Sequence, residues 1–306
     1  MAEAAAGPVV ASTSTRHAVS GLKNRGSLPT RLTDKWCSGH RPLSPLPSVG
    51  FEVRLPMPAF RTGIRHTQSV PRWHRVRKVR PVDILLTGSS GLIGKILQAH
   101  LPHHNWHTFD LPVHDVRHLP AVQEAMAHVQ AVVHLAWSTS KDNARTLEPD
   151  FGNLQGTYNV LRSAAVLSCE RVIIASSVHA DQFYDRKGSE LLKPNALPHP
   201  DSPYGAAKVY GEALSRYFSK SHNLRVFNLR LGGVYEYDSP EAAFPGEDFV
   251  WLSHEDCASA VEACTLAHVQ AGHNETLYVV SDVEGRIHSL ENAIGWFPLD
   301  HGGKSQ

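Results

Sequence analysis

Tyr204 and Lys208 stand four residues apart in Pro203-Tyr-Gly-Ala-Ala-Lys208, a spacing that puts them on one face of a helix. An ammonium beside a phenol favours the phenolate and lowers its pKa from about 10 toward neutrality. A tyrosine tuned in this way can take the proton of an alcohol while hydride leaves the same carbon. Ser177, in Ser176-Ser177-Val178-His179 at the end of an apolar run, can hold the alcohol oxygen. Tyr-x-x-x-Lys alone is common by chance, so the reading depends on what accompanies it.

Ahead of these residues lies Thr87-Gly88-Ser89-Ser90-Gly91-Leu92-Ile93-Gly94, with a glycine at every third position from Gly88. Gly88 permits a tight turn off a strand, Gly91 a close approach to a pyrophosphate, and Gly94 close packing of the following helix. The N–H groups and positive dipole of that helix start suit phosphate. Gly88, Ser90, Gly91, Leu92, Ile93 and Gly94 are therefore candidate cofactor contacts. Asp110 ends the next apolar stretch, where a carboxylate can accept both hydroxyls of an adenosine ribose and repels a 2′-phosphate. Leu111, Pro112 and Val113 add no base, so NAD is expected over NADP. Asp115 and Val116 are candidate adenine contacts, with a turn or helix-start role for Asp115 as the alternative.

The elements that must position these residues alternate. Strands are expected at Val82–Thr87, His107–Phe109, Ala131–Leu135, Arg171–Ser176, Leu224–Leu229 and Thr276–Val280. Helices are expected at Leu92–Leu101, Pro120–Val129, Leu154–Leu167, Tyr204–Ser219 and Asp256–Leu266. This alternation predicts an α/β fold, a doubly wound parallel sheet of the Rossmann kind with right-handed crossovers. Ligands of such sheets bind beyond the carboxyl ends of the strands, where the candidate residues fall. His134, inside a strand, reads as core. His254, Glu255 and Asp256 read as a helix start with acids at the positive dipole end, and no metal site is expected.

Composition narrows the classes. Hydrophobic residues make up 42% and charged residues 19%, enough apolar content for a folded core. No apolar run reaches the length of a membrane span, so no membrane partner is expected. Four cysteines without a CxxC pair argue against a disulfide scaffold or a structural zinc site and favour a reducing compartment. The net charge of +1 conceals an asymmetry: residues 1–80 hold fourteen Lys or Arg and three acids, +11, leaving −10 for the remainder. The same segment has eight prolines and no sustained apolar period, which predicts a disordered extension before a folded part over 81–306. Three readings stay open for it: a solvated tail or extension upstream of the true start, an organelle-targeting segment, or a binding patch at Arg72–Arg80. A cytoplasmic location is expected, with targeting as the alternative. Nucleic acid is not an expected partner.

With these motifs in place, the chain resembles a known family. TGSSGLIG (87–94), VVHLAW (132–137), NLQGTYNVL (153–161), ASSVHA (175–180), SPYGAAKVYGE (202–212), LRLGGVY (229–235) and SHEDCASAV (253–261) resemble the extended short-chain dehydrogenase/reductases, the NAD-dependent epimerase/dehydratase group. The resemblance spans about residues 82–300 and is strongest to the uronate dehydrogenase branch, through His179, WLSHEDCASAV and the closing GWFPLD (295–300). It implies Tyr204 as general base, Lys208 on the nicotinamide ribose and Ser177 on the reacting hydroxyl. It further implies Leu135 and Ala136 along the cofactor, Asn153 in support, and His179 on substrate hydroxyls. Thr139, Val178 and Gly233 complete the candidate substrate contacts, within substrate-binding portions at about 178–203 and 231–306. A homo-oligomer through the helices at 154–167 and 204–219 is left open.

The branch's activity, oxidation of a hexuronate at C1 with hydride passing to NAD, would require a cation for the carboxylate. The stretch 234–253 contains no Lys or Arg but carries Glu236, Asp238, Glu241, Glu247 and Asp248. Glycine also occupies position 233, where the branch has a serine. An uncharged sugar or similar hydroxyl compound is the expected departure from uronate; Arg230 is the other cation to consider, but its place at a strand end favours a structural role. The alternatives carried are an epimerase, in which hydride leaves and returns, and a catalytically weak dinucleotide-binding sensor.

Overall fold

The computed structural model describes residues 80–138, 149–181, 190–243, 248–299 and 301. The basic extension before residue 80, together with Thr139, lies outside the described residues.

Eleven main elements alternate along the chain: β1 (Asp83–Thr87), α1 (Leu92–His100), β2 (Asn105–Phe109), α2 (Leu119–Met126), β3 (Ala131–His134), α3 (Phe151–Val166), β4 (Arg171–Ser177), α4 (Pro203–His222), β5 (Arg225–Leu231), α5 (His254–Leu266) and β6 (Asn274–Val279). All strands pair in parallel, in the order β2-β1-β3-β4-β5-β6. The order reverses between β1 and β3, which opens a crevice at their carboxyl ends.

Strand periodicity sorts the core into two layers. Ile84 and Leu86 of β1, Val133 of β3, Ile173 of β4 and Phe227 of β5 pack with Leu97 of α1 and Cys257, Val261 and Cys264 of α5. Leu85, Val132, Val172 and Val226 point the other way, against Val122 of α2, Val160 and Leu161 of α3 and Phe218 of α4. Successive side chains on a strand face opposite sides, so runs such as Asp-Ile-Leu-Leu-Thr feed both layers.

Every expected element is present, and the differences lie at the ends. Asp150 accepts a hydrogen bond from Gly152 N and starts α3 three residues earlier than expected. Ser202 caps α4 through Gly205 N, and Asn223 ends it in the left-handed conformation at φ +56°. Ser253 caps α5 through Asp256 N, with Glu255 and Asp256 in its first turn. β5 runs two residues further than expected, which draws Arg230 into the sheet. Among the described residues no helix is long and apolar enough to cross a membrane.

Candidate active site

The turn after β1 depends on two glycines. Gly88 has φ +74°, and a Cβ there would lie 2.6 Å from Ala136 N. A Cβ on Gly94 would meet the carbonyl oxygens of Gly88 and Ser89 at 2.6 Å each. α1 therefore begins hard against the strand end. Its N-cap is Gly91, so no side chain takes its first N–H groups. Such a start is built to face an anion.

Asp110 stands beside this turn. Its Oδ2 accepts from Ser90 N at 2.8 Å and Ser90 Oγ at 2.6 Å, and its Oδ1 from Leu111 N at 2.8 Å. Burial pushes the carboxyl's pKa up, but these bonds outweigh it and hold the group below the usual carboxylate range. Each carboxylate oxygen accepts about two hydrogen bonds, so Oδ2 is filled and Oδ1 keeps room for one further hydroxyl donor. A cavity of about 380 Å³ opens over Gly88, Ser90, Gly91, Asp110, Leu111, Asp115 and Val116, reaching Leu135, Ala136 and Asn153.

Two residues of this cavity escaped the sequence reading. His114 stacks on Phe109, with ring centres 4.8 Å apart. Arg117 corrects the expectation that no base lies near Asp110, because the turn after β2 brings it to the same cavity. It is held by Asp115, Nη2 to Oδ2 at 2.5 Å and Nε to both oxygens at 2.9 Å. Asp115 is thus a turn residue locked in an ion pair. Val116 packs against Gly156 of α3, which has no side chain to obstruct it.

A second cavity, about 600 Å³, shares Gly88, Gly91, Leu135 and Trp137 with the first, so the two form one cleft. Ser177, Tyr204 and Lys208 line it, with Leu92, Ile93 and Gly94 on the opposite wall. Lys208 is buried; its Nζ donates to Ala175 O at 2.8 Å and lies 5.5 Å from the Tyr204 ring centre. Ser177 Oγ accepts from His179 N at 3.3 Å. His179 packs edge-on to Tyr204 at 5.6 Å, and its Nδ1 lies 2.8 Å from the buried Oδ2 of Asp201. The carboxylate anchors the ring at Nδ1 and turns Nε2 to the opposite side.

Two candidates differ from expectation. The Val178 side chain packs into the core rather than lining the cleft. Gly233 lies between the lining residues Gly232 and Val234, but Tyr235 fills its side-chain space, its hydroxyl 2.5 Å from where a Cβ would stand.

Buried polar groups brace the site. His134 bridges Thr87 Oγ1 (2.8 Å) and Thr157 Oγ1 (3.2 Å), while Thr157 donates to Asn153 O and Thr87 accepts from Ala136 N. Burial, with the charge of Lys208 adding to it, pushes His134 down to about 3, so it is a neutral core residue. Asn153 holds Ser138 through both its amide atoms. Arg230, 1% exposed, is enclosed by Glu212 (2.9 and 2.8 Å), Tyr278 (3.1 Å) and Asp181 (3.4 Å). Burial alone would pull its pKa down; Glu212 overrides this and holds it well above the ordinary value. Glu212 also accepts from Ser176 Oγ at 2.6 Å, next to Ser177. Arg230 is therefore structural.

His103, His104 and Glu262 cluster away from these residues in the sequence. Val82 N donates to His104 Nδ1, so the neutral ring carries its proton on Nε2, which points at Glu262. That tautomer cannot ligate a metal through Nε2.

Residues 84–247 match the NAD dependent epimerase/dehydratase family. The NAD-dependent glucose-6-phosphate dehydrogenase of Haloferax volcanii is 28% identical over 250 residues, covering 71% of this chain and 93% of that protein. The L-arabinose 1-dehydrogenase (NAD(P)(+)) of the same organism is 31% identical over 247 residues, covering 71% and 96%. Among solved structures, uronate dehydrogenase from Agrobacterium tumefaciens aligns with a TM-score of 0.61 at 25% identity, covering 72% of this chain and 86% of that one.

Proposed function

The chain belongs to the NAD dependent epimerase/dehydratase family, and from that premise we propose that it oxidises a hydroxyl of a small, uncharged sugar. The carrying observation is that Tyr204, Lys208 and Ser177 face one cavity continuous with the glycine turn. The residues fit the dinucleotide: Gly88 and Gly94 let the turn and α1 pack tightly against the strand ends, the start of α1 has no side-chain cap, and Asp110 Oδ1 retains room for one ribose hydroxyl. When bound, NAD supplies the hydride acceptor.

The chain's own residues handle the proton. Ser177 Oγ holds the substrate oxygen. Tyr204 Oη takes its proton, and the Lys208 ammonium stabilises the phenolate that does so. His179, held by Asp201, orients neighbouring hydroxyls through Nε2. Asn153 fixes the backbone at Ser138, beside which the dinucleotide would lie.

The substrate class follows from charge. Among the described residues lining the Tyr204 cavity, Lys208 is the only charged side chain. Arg230 is committed to Glu212 and Asp181. Among the described residues, a substrate carboxylate brought into this cavity would give up water and meet no cation other than Lys208.

NADH formation at 340 nm with neutral aldoses, hexose phosphates and hexuronates tests the reading. Turnover of neutral aldoses is expected. A preference for hexuronates overturns the substrate class. Absence of NADH across the panel, with NAD bound, overturns the dehydrogenase reading in favour of an epimerase or a sensor.

A further inference from the structure

His114 lines the same cavity as Asp110 and is exposed. Its ring lies nearly parallel to that of Phe109, 4.8 Å apart at 15°. Phe109 is 1% exposed and packs in the core layer beneath α2 and α3, so it is a fixed base for the imidazole. His114 N donates to Asp110 O at 2.8 Å, which ties both residues to one turn. Among the described residues the His114 ring makes no hydrogen bond and no second ring contact. One of its faces is therefore taken by Phe109, and no ring takes the other. The acid of the same wall is already occupied: Asp115 Oδ1 accepts from Arg117 N and Nε, and Oδ2 from Nε and Nη2. Neither oxygen has room for the edge of a nucleobase.

We propose that His114 is the platform on which the adenine of NAD stacks. This rests on Asp110 holding the adenosine ribose, as proposed above. A base carried by that ribose lies against the wall beside Asp110, where His114 stands. Phe109, the imidazole and the adenine then form one stack of three rings. Such a stack needs a flat face and no particular pattern of donors and acceptors. The imidazole is in place on Phe109 before the ligand arrives, so little side-chain freedom is lost on binding. The base is thus held by its face, while Asp115 keeps Arg117 and takes no part in reading its edge.

The test is calorimetric titration of AMP and NAD into the full chain, into His114→Leu and into His114→Phe. Leucine still covers Phe109 but offers no flat face, whereas phenylalanine keeps the face and loses the nitrogens. AMP affinity is expected to fall about 5-fold or more in His114→Leu, the lower end of what one stacked base is worth. NAD affinity is expected to fall by the same factor, because both ligands carry the same base. His114→Phe is expected to bind both as the parent does. Unchanged AMP binding by His114→Leu overturns the platform. A loss in His114→Phe as large as that in His114→Leu also overturns it, since the nitrogens and not the face would then hold the ligand. If His114→Leu does not fold, His114→Gln takes its place with the same expectation. Binding of neither ligand to the parent removes the cofactor reading and the platform with it, whereas binding lost in Asp110→Ala but kept in His114→Leu removes the platform alone.

Discussion

Replacing Arg230 with methionine strands two carboxylates that the fold buries together. The guanidinium makes four contacts: two to Glu212 at 2.8 and 2.9 Å, one to Tyr278 at 3.1 Å and one to Asp181 at 3.4 Å. Glu212 is 5% exposed and Asp181 2%, so water cannot replace the missing cation. Methionine fills part of the volume and supplies no donor. Removing one member of such a buried pair costs about 3–5 kcal/mol. For a folded part of this size each kcal/mol corresponds to roughly 2–4 °C, so the Tm should fall by about 6–20 °C. Scanning calorimetry of both proteins measures this directly. Arg216→Met, at an exposed position on α4, the helix that carries Glu212, serves as the control and should change stability by no more than about 0.5 kcal/mol. A loss below about 1 kcal/mol for Arg230→Met would show the cluster to be hydrated in solution and would refute the bracing argument.

Tyr204→Phe should abolish NADH formation while NAD affinity stays close to that of the parent; comparable turnover in the variant would eliminate Tyr204 as the base. Asp110→Ala should weaken NAD and narrow the gap to NADP, since the repelling carboxylate is gone and Arg117 stands nearby; the ratio of the two affinities checks this. His134 stays neutral in the folded chain down to about 3, whereas the unfolded chain takes up its proton near the ordinary value of 6.5. Stability should therefore fall as pH drops through that window, by an amount on the order of several kcal/mol. The decline in Tm with acid should be shallower in His134→Gln, and parallel profiles would contradict the assignment.

Much of the architecture was legible because its signals are local. Apolar runs of four to seven residues alternate with helical periodicity, and the glycine turn sits between the first pair of elements. Ser177, Tyr204 and Lys208 come together because β4 and the start of α4 end at the same edge of the sheet. Helix starts were misjudged where capping residues lie outside the apolar period, as with Asp150. The place of Arg230 at a strand end already favoured a structural role, but its partners, Glu212 from α4 and Asp181, gave no local signal. Arg117 and His114 had no motif to announce them, and Trp137, though it closes VVHLAW, was given no role. Arg117 and His114 reach the cleft through the turn after β2, and Trp137 through a side chain just beyond the end of β3. The short helical turn after β4 buries Val178, a placement with no local signal in the sequence.

The strand order has a consequence for how such a protein can diversify. β2, which delivers Asp110, is an outer strand paired only to β1, whereas Ser177 leaves β4 on the far side of β1 and β3. On the proposed function, adenosine recognition by Asp110 and alcohol chemistry at Ser177 would occupy separable modules joined by a shared crevice. Substitutions confined to one module should combine additively with those in the other, as distant sites without common partners do. A lineage could exchange its dinucleotide preference by altering the outermost strand and the turn behind it, leaving the reacting centre intact. It could equally acquire a new sugar through the segments after β4 and β5 without relearning how to hold its cofactor.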